Sequence, residues 1–309
     1  MATGAESEQY ALAVDVCFRI KAMRIPKYWT QASHTGNDSQ GKELTFSAYG
    51  WSFENMDDAR GNAVSRARRI FDRLVNGSRP DEYDYLDRPL REEITDTVQQ
   101  GGNVIAHVTR NRYGALVLNA ASVLFVDIDF PRIRPSGLWD TILLIFSSKR
   151  KQQRIAAAQE AALGSVREWS RRNGGYAFRV YRTCAGLRLL FIDKLYEPNS
   201  NETLRILSEL GSDPLYCKLT SKQECFRARL SPKPWRCGST RPPAQYPWTD
   251  ETQEQTYRRW QQSYTDCTGK YKVCHLIETH GNIIPNAEIT SILKLHDNLT
   301  CNDDITQLA

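Results

Sequence analysis

Two aspartates separated by one residue follow a short apolar segment in the middle of the chain. Residues 122–126 are rich in β-branched and aromatic side chains, which predicts a buried strand running into Asp127 and Asp129. Pro131 cannot donate to a sheet ladder, so the strand should end before it. Alternate side chains of a strand share a face, so the carboxylates should project together, about 6–7 Å apart at their Cα atoms. Such a pair suits a hard divalent cation such as Mg²⁺ or Mn²⁺, although a solvated pair at a strand end is the alternative.

A stretch of nearly uniform charge follows later in the chain. Between positions 218 and 241 the single acid is Glu224. The basic residues there are Lys218, Lys222, Arg227, Arg229, Lys233, Arg236 and Arg241. The net charge of +5 does not by itself indicate nucleic-acid binding, but this distribution suits a partner that carries phosphate groups. A solvated basic surface is the alternative interpretation.

The surrounding segments predict the elements that would position these residues. Residues 104–108 and 115–118 predict a hairpin that leads into the aspartate strand. Residues 177–181 and 187–192 predict two further strands around Gly186, where glycine lets a ligand approach the backbone closely. Hydrophobic periodicity predicts helices over 57–75, 152–172, 199–210 and 250–264. The polar, glycine-containing residues 31–43 predict a loop.

Composition is that of an ordinary globular protein, with 40% hydrophobic and 25% charged residues in 309. No apolar run approaches the length of a membrane span, and the first residues lack a secretory signal, so we expect a cytoplasmic location and no membrane partner. The eight cysteines are scattered, which argues against a disulfide framework. Zinc is not expected, because the candidate ligands contain no C-x-x-C pair; they are Cys217, Cys225, Cys237, Cys267, Cys274 and His275.

Three segments between about 100 and 240 resemble, in order, the signature of the archaeo-eukaryotic primase superfamily, which includes primase-polymerases. Residues 123–129 are similar to the family's strand with two metal-binding acids. Residues 178–193 are similar to its strand, turn and strand, with Arg188 where the family usually has histidine. Asp213, followed by residues 226–233, resembles its last acid and its phenylalanine-arginine, serine and lysine run.

The resemblance implies an α/β (α+β) fold. Its primase-like core of antiparallel or mixed sheet with flanking helices would span 1–245, and a helical C-terminal extension over 246–309 would pack on the same domain. Two Mg²⁺ or Mn²⁺ ions would be held by the catalytic residues Asp127, Asp129 and Asp213. The nucleotide would be bound by Gly186, Arg188, Arg227, Ser231 and Lys233. Arg229 and Arg236 would contact nucleic acid.

The activity expected from this resemblance is metal-dependent nucleotidyl transfer of the DNA primase and polymerase kind. NTPs or dNTPs would be added to a polynucleotide on a DNA or RNA template, as in DNA replication. Arg188 could hold a triphosphate bidentately but cannot titrate near neutral pH. A second hypothesis is therefore a non-catalytic, nucleic-acid-binding relative. A third, a nucleotide-sugar glycosyltransferase using Asp127 and Asp129, is disfavoured by the basic stretch.

Overall fold

The computed structural model describes Met23 and residues 25–77, 89–131, 147–302, 304–305 and 307–309. Within these residues ten strands form three antiparallel sheets, accompanied by six α-helices. This mixed content confirms the predicted α+β fold class. No helix among the described residues is both long enough and apolar enough to cross a membrane.

The elements are numbered here in chain order. The strands are β1 Tyr28–Asn37, β2 Glu43–Ser52, β3 Glu93–Gln100, β4 Asn103–Arg110, β5 Leu116–Ala120, β6 Phe125–Asp129, β7 Phe178–Thr183, β8 Gly186–Phe191, β9 Phe226–Arg229 and β10 Cys274–His280. The helices are α1 Met56–Val75, α2 Ser148–Arg172, α3 Asn201–Glu209, α4 Pro214–Gln223, α5 Glu251–Thr268 and α6 Ala287–Thr300.

The smallest sheet is the β1–β2 hairpin, which is covered by α1. Small residues at four-residue steps, Ala59, Ala63 and Ala67, form the buried face of that helix. Gly50 of β2 lies directly against it, since a Cβ at Gly50 would overlap the backbone of Ala63. The hairpin and helix therefore approach each other at backbone distance.

The two four-stranded sheets share the main core. Their strand orders are β10-β7-β8-β6 and β3-β4-β5-β9. Leu118, Phe125, Leu189 and Phe226 come from four strands of these sheets and belong to one buried apolar cluster. Phe125 and Val126 are fully buried, and the strand becomes exposed as it reaches its aspartates, as the sequence predicts. The core thus fixes β6 and leaves its carboxyl end accessible.

The structure corrects two sequence predictions. Residues 31–43 do not form a loop, because they lie mostly in β1, whose hydroxyl side chains pair across the hairpin with those of β2. The segment 246–309 is not purely helical either. Besides α5 and α6 it contains β10, which pairs with β7 and joins this segment to the core sheet.

Candidate functional site

A cleft of about 350 Å³ opens where β6 and β8 of one sheet meet β5 and β9 of the other. This volume lies in the range of small-molecule binding sites. Nine of the ten predicted site residues line it, namely Asp127, Asp129, Gly186, Arg188, Asp213, Arg227, Arg229, Lys233 and Arg236. The tenth, Ser231, does not line the cleft. Positions far apart in sequence are therefore brought together in one cleft.

Asp127 and Asp129 lie on the wall formed by β6. This strand pairs with β8, placing Asp127 opposite Arg188 and Asp129 opposite Gly186. Because the two aspartates are two residues apart in a strand, they share the face that borders the cleft. Asp127 is half-buried and Asp129 is exposed. Asp129 is thus the carboxylate more open to a ligand.

Arg188 is almost completely buried beneath Asp127, with 1% of its surface exposed. Its Nε donates to Asp127 Oδ1 at 2.9 Å and its Nη2 to Oδ2 at 3.4 Å. Its Nη1 donates to the carbonyl oxygen of Arg229 at 2.9 Å. Although burial alone would lower the pKa of Arg188, the neighbouring Asp127 carboxylate raises it. The predicted triphosphate contact does not fit this position, because the guanidinium is inaccessible and already bonded within the protein.

His296 lies behind Arg188 and was not predicted as a site residue. It is fully buried on α6, with Nε2 3.5 Å from Arg188 Nη1 and Nδ1 2.9 Å from Asp297 Oδ1. Burial lowers the pKa of His296, so the ring is neutral at pH 7. The available signal was its spacing, since His296 falls on the same helical stripe as the buried Ile289 and Ile292. The C-terminal segment thus contacts the group that holds Asp127.

Asp213 is the N-cap residue of α4 and lines the same cleft. Its side chain accepts a hydrogen bond from the backbone N–H of Leu215 at 3.1 Å, which is an N-cap contact. Its own backbone N–H donates to the carbonyl oxygen of Asp127 at 3.3 Å. Asp213 is therefore fixed next to β6 by local structure, and its role as a third metal ligand stays a prediction.

Gly186 is required by the sheet itself. A Cβ at this position would overlap the carbonyl oxygen of Ile128 on β6. The sequence predicted that this glycine lets a ligand approach the backbone, whereas in the structure it lets β6 approach β8. The residue supports the site by setting the distance between the two strands that carry Asp127 and Arg188.

Arg227 and Ser231 are both occupied by other parts of the protein. Arg227 Nη2 donates to both carboxylate oxygens of the buried Glu92, at 2.8 and 3.0 Å. The Ser231 hydroxyl accepts from the backbone N–H of Leu116 at 2.8 Å and is hydrogen-bonded to the Tyr264 hydroxyl, also at 2.8 Å. The predicted nucleotide contact of Ser231 needs correction, because its hydroxyl joins β5 to α5 instead.

Three cations lie on the opposite wall, and two of them keep a side-chain nitrogen without a hydrogen-bond partner in the described part of the chain. Arg229 ends β9, Lys233 precedes the 3₁₀ turn Pro234–Arg236, and Arg236 is the last residue of that turn. The Nη1 atoms of Arg229 and Arg236 are buried, and neither has a hydrogen-bond partner among the described residues. Buried polar atoms are normally satisfied, so unpaired guanidinium nitrogens in a cleft indicate a place for an acceptor.

The electrostatics of this wall favour an anion. Burial, together with the charges of Arg188 and Arg236, lowers the pKa of Arg229 to about 10, which leaves it charged at neutral pH. Burial also lowers the pKa of Lys233, and the charges of Arg229 and Arg236 add to the effect. These positive charges disfavour one another until a negative group binds between them.

The donor set also fits a hard divalent cation in kind. Asp127 and Asp129 supply carboxylate oxygens, and none of the described residues that line the cleft is a cysteine or a histidine. In the described ranges no group of three or more histidine, cysteine, aspartate or glutamate side chains could hold a metal ion. A metal bound here would find two carboxylates on β6, Asp127 and Asp129, of which Asp127 is shared with Arg188.

Comparison of the chain with protein-family models, with curated proteins and with solved structures finds no match. Function must therefore be inferred from the chemistry of the cleft. That chemistry is a carboxylate pair on one wall and unpaired cations on the other.

Proposed function

We propose that the protein is a metal-dependent nucleotidyltransferase of the primase-polymerase type. It would bind a nucleoside triphosphate in the cleft and add the nucleotide to a DNA or RNA chain on a template. The observation that carries the proposal is the single cleft in which Asp127 and Asp129 face Arg229, Lys233 and Arg236. Carboxylates that can hold a metal, placed beside cations that can hold phosphate, are the parts that phosphoryl transfer requires.

The cations would bind the triphosphate. Arg229 Nη1 and Arg236 Nη1 are buried donors without partners among the described residues, so phosphate oxygens would complete their hydrogen bonding. Lys233 would add a point charge, and a bound phosphate would favour its protonated form. Arg227 would contribute less, because Glu92 already pairs with it.

The carboxylates would hold the metal. Mg²⁺ or Mn²⁺ supplies neutralisation of phosphate charge and activation of the attacking 3′-oxygen when it is bound. Asp129 is exposed and free to coordinate, whereas Arg188 fixes the orientation of Asp127 through two hydrogen bonds. Arg188 is therefore a positioning residue in this proposal and does not touch the substrate. A cytoplasmic location would give the protein access to nucleotides and nucleic acid.

Asp129→Asn gives the sharpest test, because this side chain is exposed and its loss leaves the Asp127–Arg188 pair intact. The purified protein would be incubated with Mn²⁺ or Mg²⁺, a primed template and labelled dNTPs or NTPs. We expect incorporation by the wild type and a loss of at least about 100-fold in Asp129→Asn. Asp266→Asn, at an exposed position of α5, should retain wild-type incorporation. Equal activity of both variants would refute the role of β6 in catalysis.

The Asp127–Arg188 ion pair favours a second candidate, a non-catalytic nucleic-acid-binding protein. Arg188, which is always charged, already neutralises Asp127, and this reduces the attraction of the carboxylate pair for a metal. Such a protein would bind template with an affinity that falls steeply with salt and would form no product with either metal. Salt-sensitive binding of the template, without incorporation with either metal, would decide for this candidate.

A further inference from the structure

An exposed tryptophan lies next to two of the cations that line the cleft, Lys233 and Arg236. Trp235 is 46% exposed, although tryptophan side chains are usually largely buried. It is the middle residue of the 3₁₀ turn Pro234–Arg236. Side chains three residues apart eclipse in a 3₁₀ helix, so Lys233 and Arg236 both face the cleft while Trp235 points elsewhere. The same turn thus presents cations inwards and an aromatic ring outwards.

The ring is surrounded by an aromatic neighbour and by positive charge. Tyr113 meets it edge to face, with centroids 5.2 Å apart and planes at 88°. Lys233 Nζ and Arg241 Cζ lie 5.7 and 5.6 Å from its centroid. Arg112 lies over the Tyr113 ring with its Cζ at 4.6 Å. Trp235, Tyr113, Arg112 and Arg241 are called the rim platform below.

Backbone hydrogen bonds hold the turn that carries Trp235. Pro234 fixes the first turn position, and its carbonyl oxygen accepts from the backbone N–H groups of Cys237 and Ser239 at 3.1 and 2.9 Å. The Arg236 N–H donates to the carbonyl oxygen of Lys233 at 2.8 Å. No acidic residue occurs between positions 225 and 249. A rigid aromatic surface in a purely basic segment loses little conformational entropy when it binds.

We propose that the rim platform binds an unpaired base of a single-stranded nucleic acid by stacking on Trp235, with Arg241 and Arg112 near the flanking phosphates. This inference rests on the proposed function, since it places the template strand at the mouth of the nucleotide cleft. Aromatic side chains combined with cations are the usual means by which proteins hold single strands, because every base has a stacking face. A duplex hides those faces, so the platform selects unpaired strands.

The test measures binding alone, by fluorescence anisotropy of a labelled oligothymidylate without metal or nucleotide, at two salt concentrations. Trp235→Ala should raise the dissociation constant for the single strand by about 5- to 150-fold, the factor expected from loss of one stacked base. Trp235→Phe should raise this dissociation constant by a clearly smaller factor, because a smaller ring still stacks. Ile284→Ala removes another exposed apolar side chain and should have no effect. Duplex of the same sequence should bind Trp235→Ala and wild type alike.

The proposal is overturned if Trp235→Ala binds the single strand within twofold of wild type. It is also overturned if the variant loses affinity for single strand and duplex equally, because stacking on an unpaired base would weaken the single strand alone. Urea unfolding of each variant verifies that the fold is retained, and the Phe variant keeps the test valid if the Ala variant unfolds. Tryptophan-dependent binding without nucleotide incorporation would refute the nucleotidyl transfer alone. Incorporation with unchanged Trp235→Ala binding would refute the platform alone.

Discussion

Replacing Arg188 with methionine removes the buried guanidinium and keeps an unbranched, flexible side chain in place of its aliphatic part. The substitution deletes the two hydrogen bonds to Asp127 and the one to the carbonyl oxygen of Arg229. Asp127 then lies half-buried without a counter-charge, next to the apolar core of β6. The variant therefore measures how far the ion pair, rather than packing alone, holds the β6 end of the cleft.

The expected cost follows from the exposure of the two partners. Removing one member of a buried ion pair costs about 3–5 kcal/mol, because the other charge is left buried and unpaired. Asp127 retains 37% of its side-chain exposure, so water offsets part of that penalty. Methionine also adds apolar burial at a site that is 1% exposed. We expect Arg188→Met to lower the free energy of unfolding by about 2–3 kcal/mol, a large share of a typical total.

Urea unfolding followed by far-ultraviolet circular dichroism would measure this for Arg188→Met, Asp127→Asn and the double variant. Because Asp127→Asn removes the orphaned charge, the double variant should be more stable than Arg188→Met, by about 1–2 kcal/mol. Arg171→Met is the control, since that arginine is 75% exposed, and it should change stability by less than about 0.5 kcal/mol. The reasoning fails if Arg188→Met matches wild type or if the double variant recovers nothing.

Three further predictions concern residues around the same cleft. Gly186→Ala should lower the free energy of unfolding by about 3 kcal/mol, because the new Cβ overlaps the Ile128 carbonyl. The control Gly164→Ala, in open space on α2, should raise the free energy of unfolding by about 0.5–1 kcal/mol. Equal effects of the two substitutions in urea unfolding would contradict the overlap. Ser231→Ala should lower the free energy of unfolding by about 1 kcal/mol, since its hydroxyl is hydrogen-bonded to Leu116 and Tyr264. The affinity for inorganic triphosphate, measured by calorimetry, should be unchanged. Weakened triphosphate binding would restore the predicted ligand role of Ser231. Triphosphate affinity should fall as pH rises through the lowered pKa of Lys233, below the usual 10.5, because deprotonation removes the binding charge. Lys233→Arg should reduce this fall and leave the part that follows deprotonation of Arg229 near its pKa of about 10. A pH profile unchanged by that substitution would place the titrating group elsewhere.

Local patterns predicted the elements that carry the site. The apolar residues 122–126, the alternation through Asp127 and Asp129, and the break at Pro131 are contained in ten consecutive residues, and β6 follows them closely. Equally local patterns predicted the hairpins β4–β5 and β7–β8 and the helices α1 and α2. Strands and helices of this kind follow from short-range periodicity, which a single sequence displays directly.

Partners distant in sequence could not be predicted in the same way. Arg227 pairs with Glu92 across 135 positions, and nothing in the local sequence of either residue indicates the other. Ser231 matched a motif position, but its hydroxyl is taken by Leu116 and by Tyr264 of α5. The motif positions lie in or near the cleft, but the sequence could not tell which of their polar atoms remain available.

Among the elements that the sequence did not predict, β1 and β10 have weak patterns. β1 is a polar strand of a two-stranded hairpin, and its exposed face carries Ser33 and Thr35, so alternation of apolar and polar residues is faint. β10 contains two histidines and one glutamate in seven residues and is an edge strand. Edge strands need less apolar content than central ones, since one side of the ladder meets solvent.

The charge inventory of the cleft indicates which ligand it favours. Five cations and three carboxylates line it, an excess of two positive charges. Arg188 and Asp127 neutralise each other, and Arg227 is neutralised by Glu92 from outside the lining. The remaining charges are Arg229, Lys233 and Arg236 against Asp129 and Asp213, so the free surface of the cleft is still positive. The positive potential of the cleft opposes binding of a metal ion alone. A bound polyphosphate would reduce this potential and draw a cation towards Asp129. The arrangement therefore favours phosphate and metal as a combined ligand over either one alone.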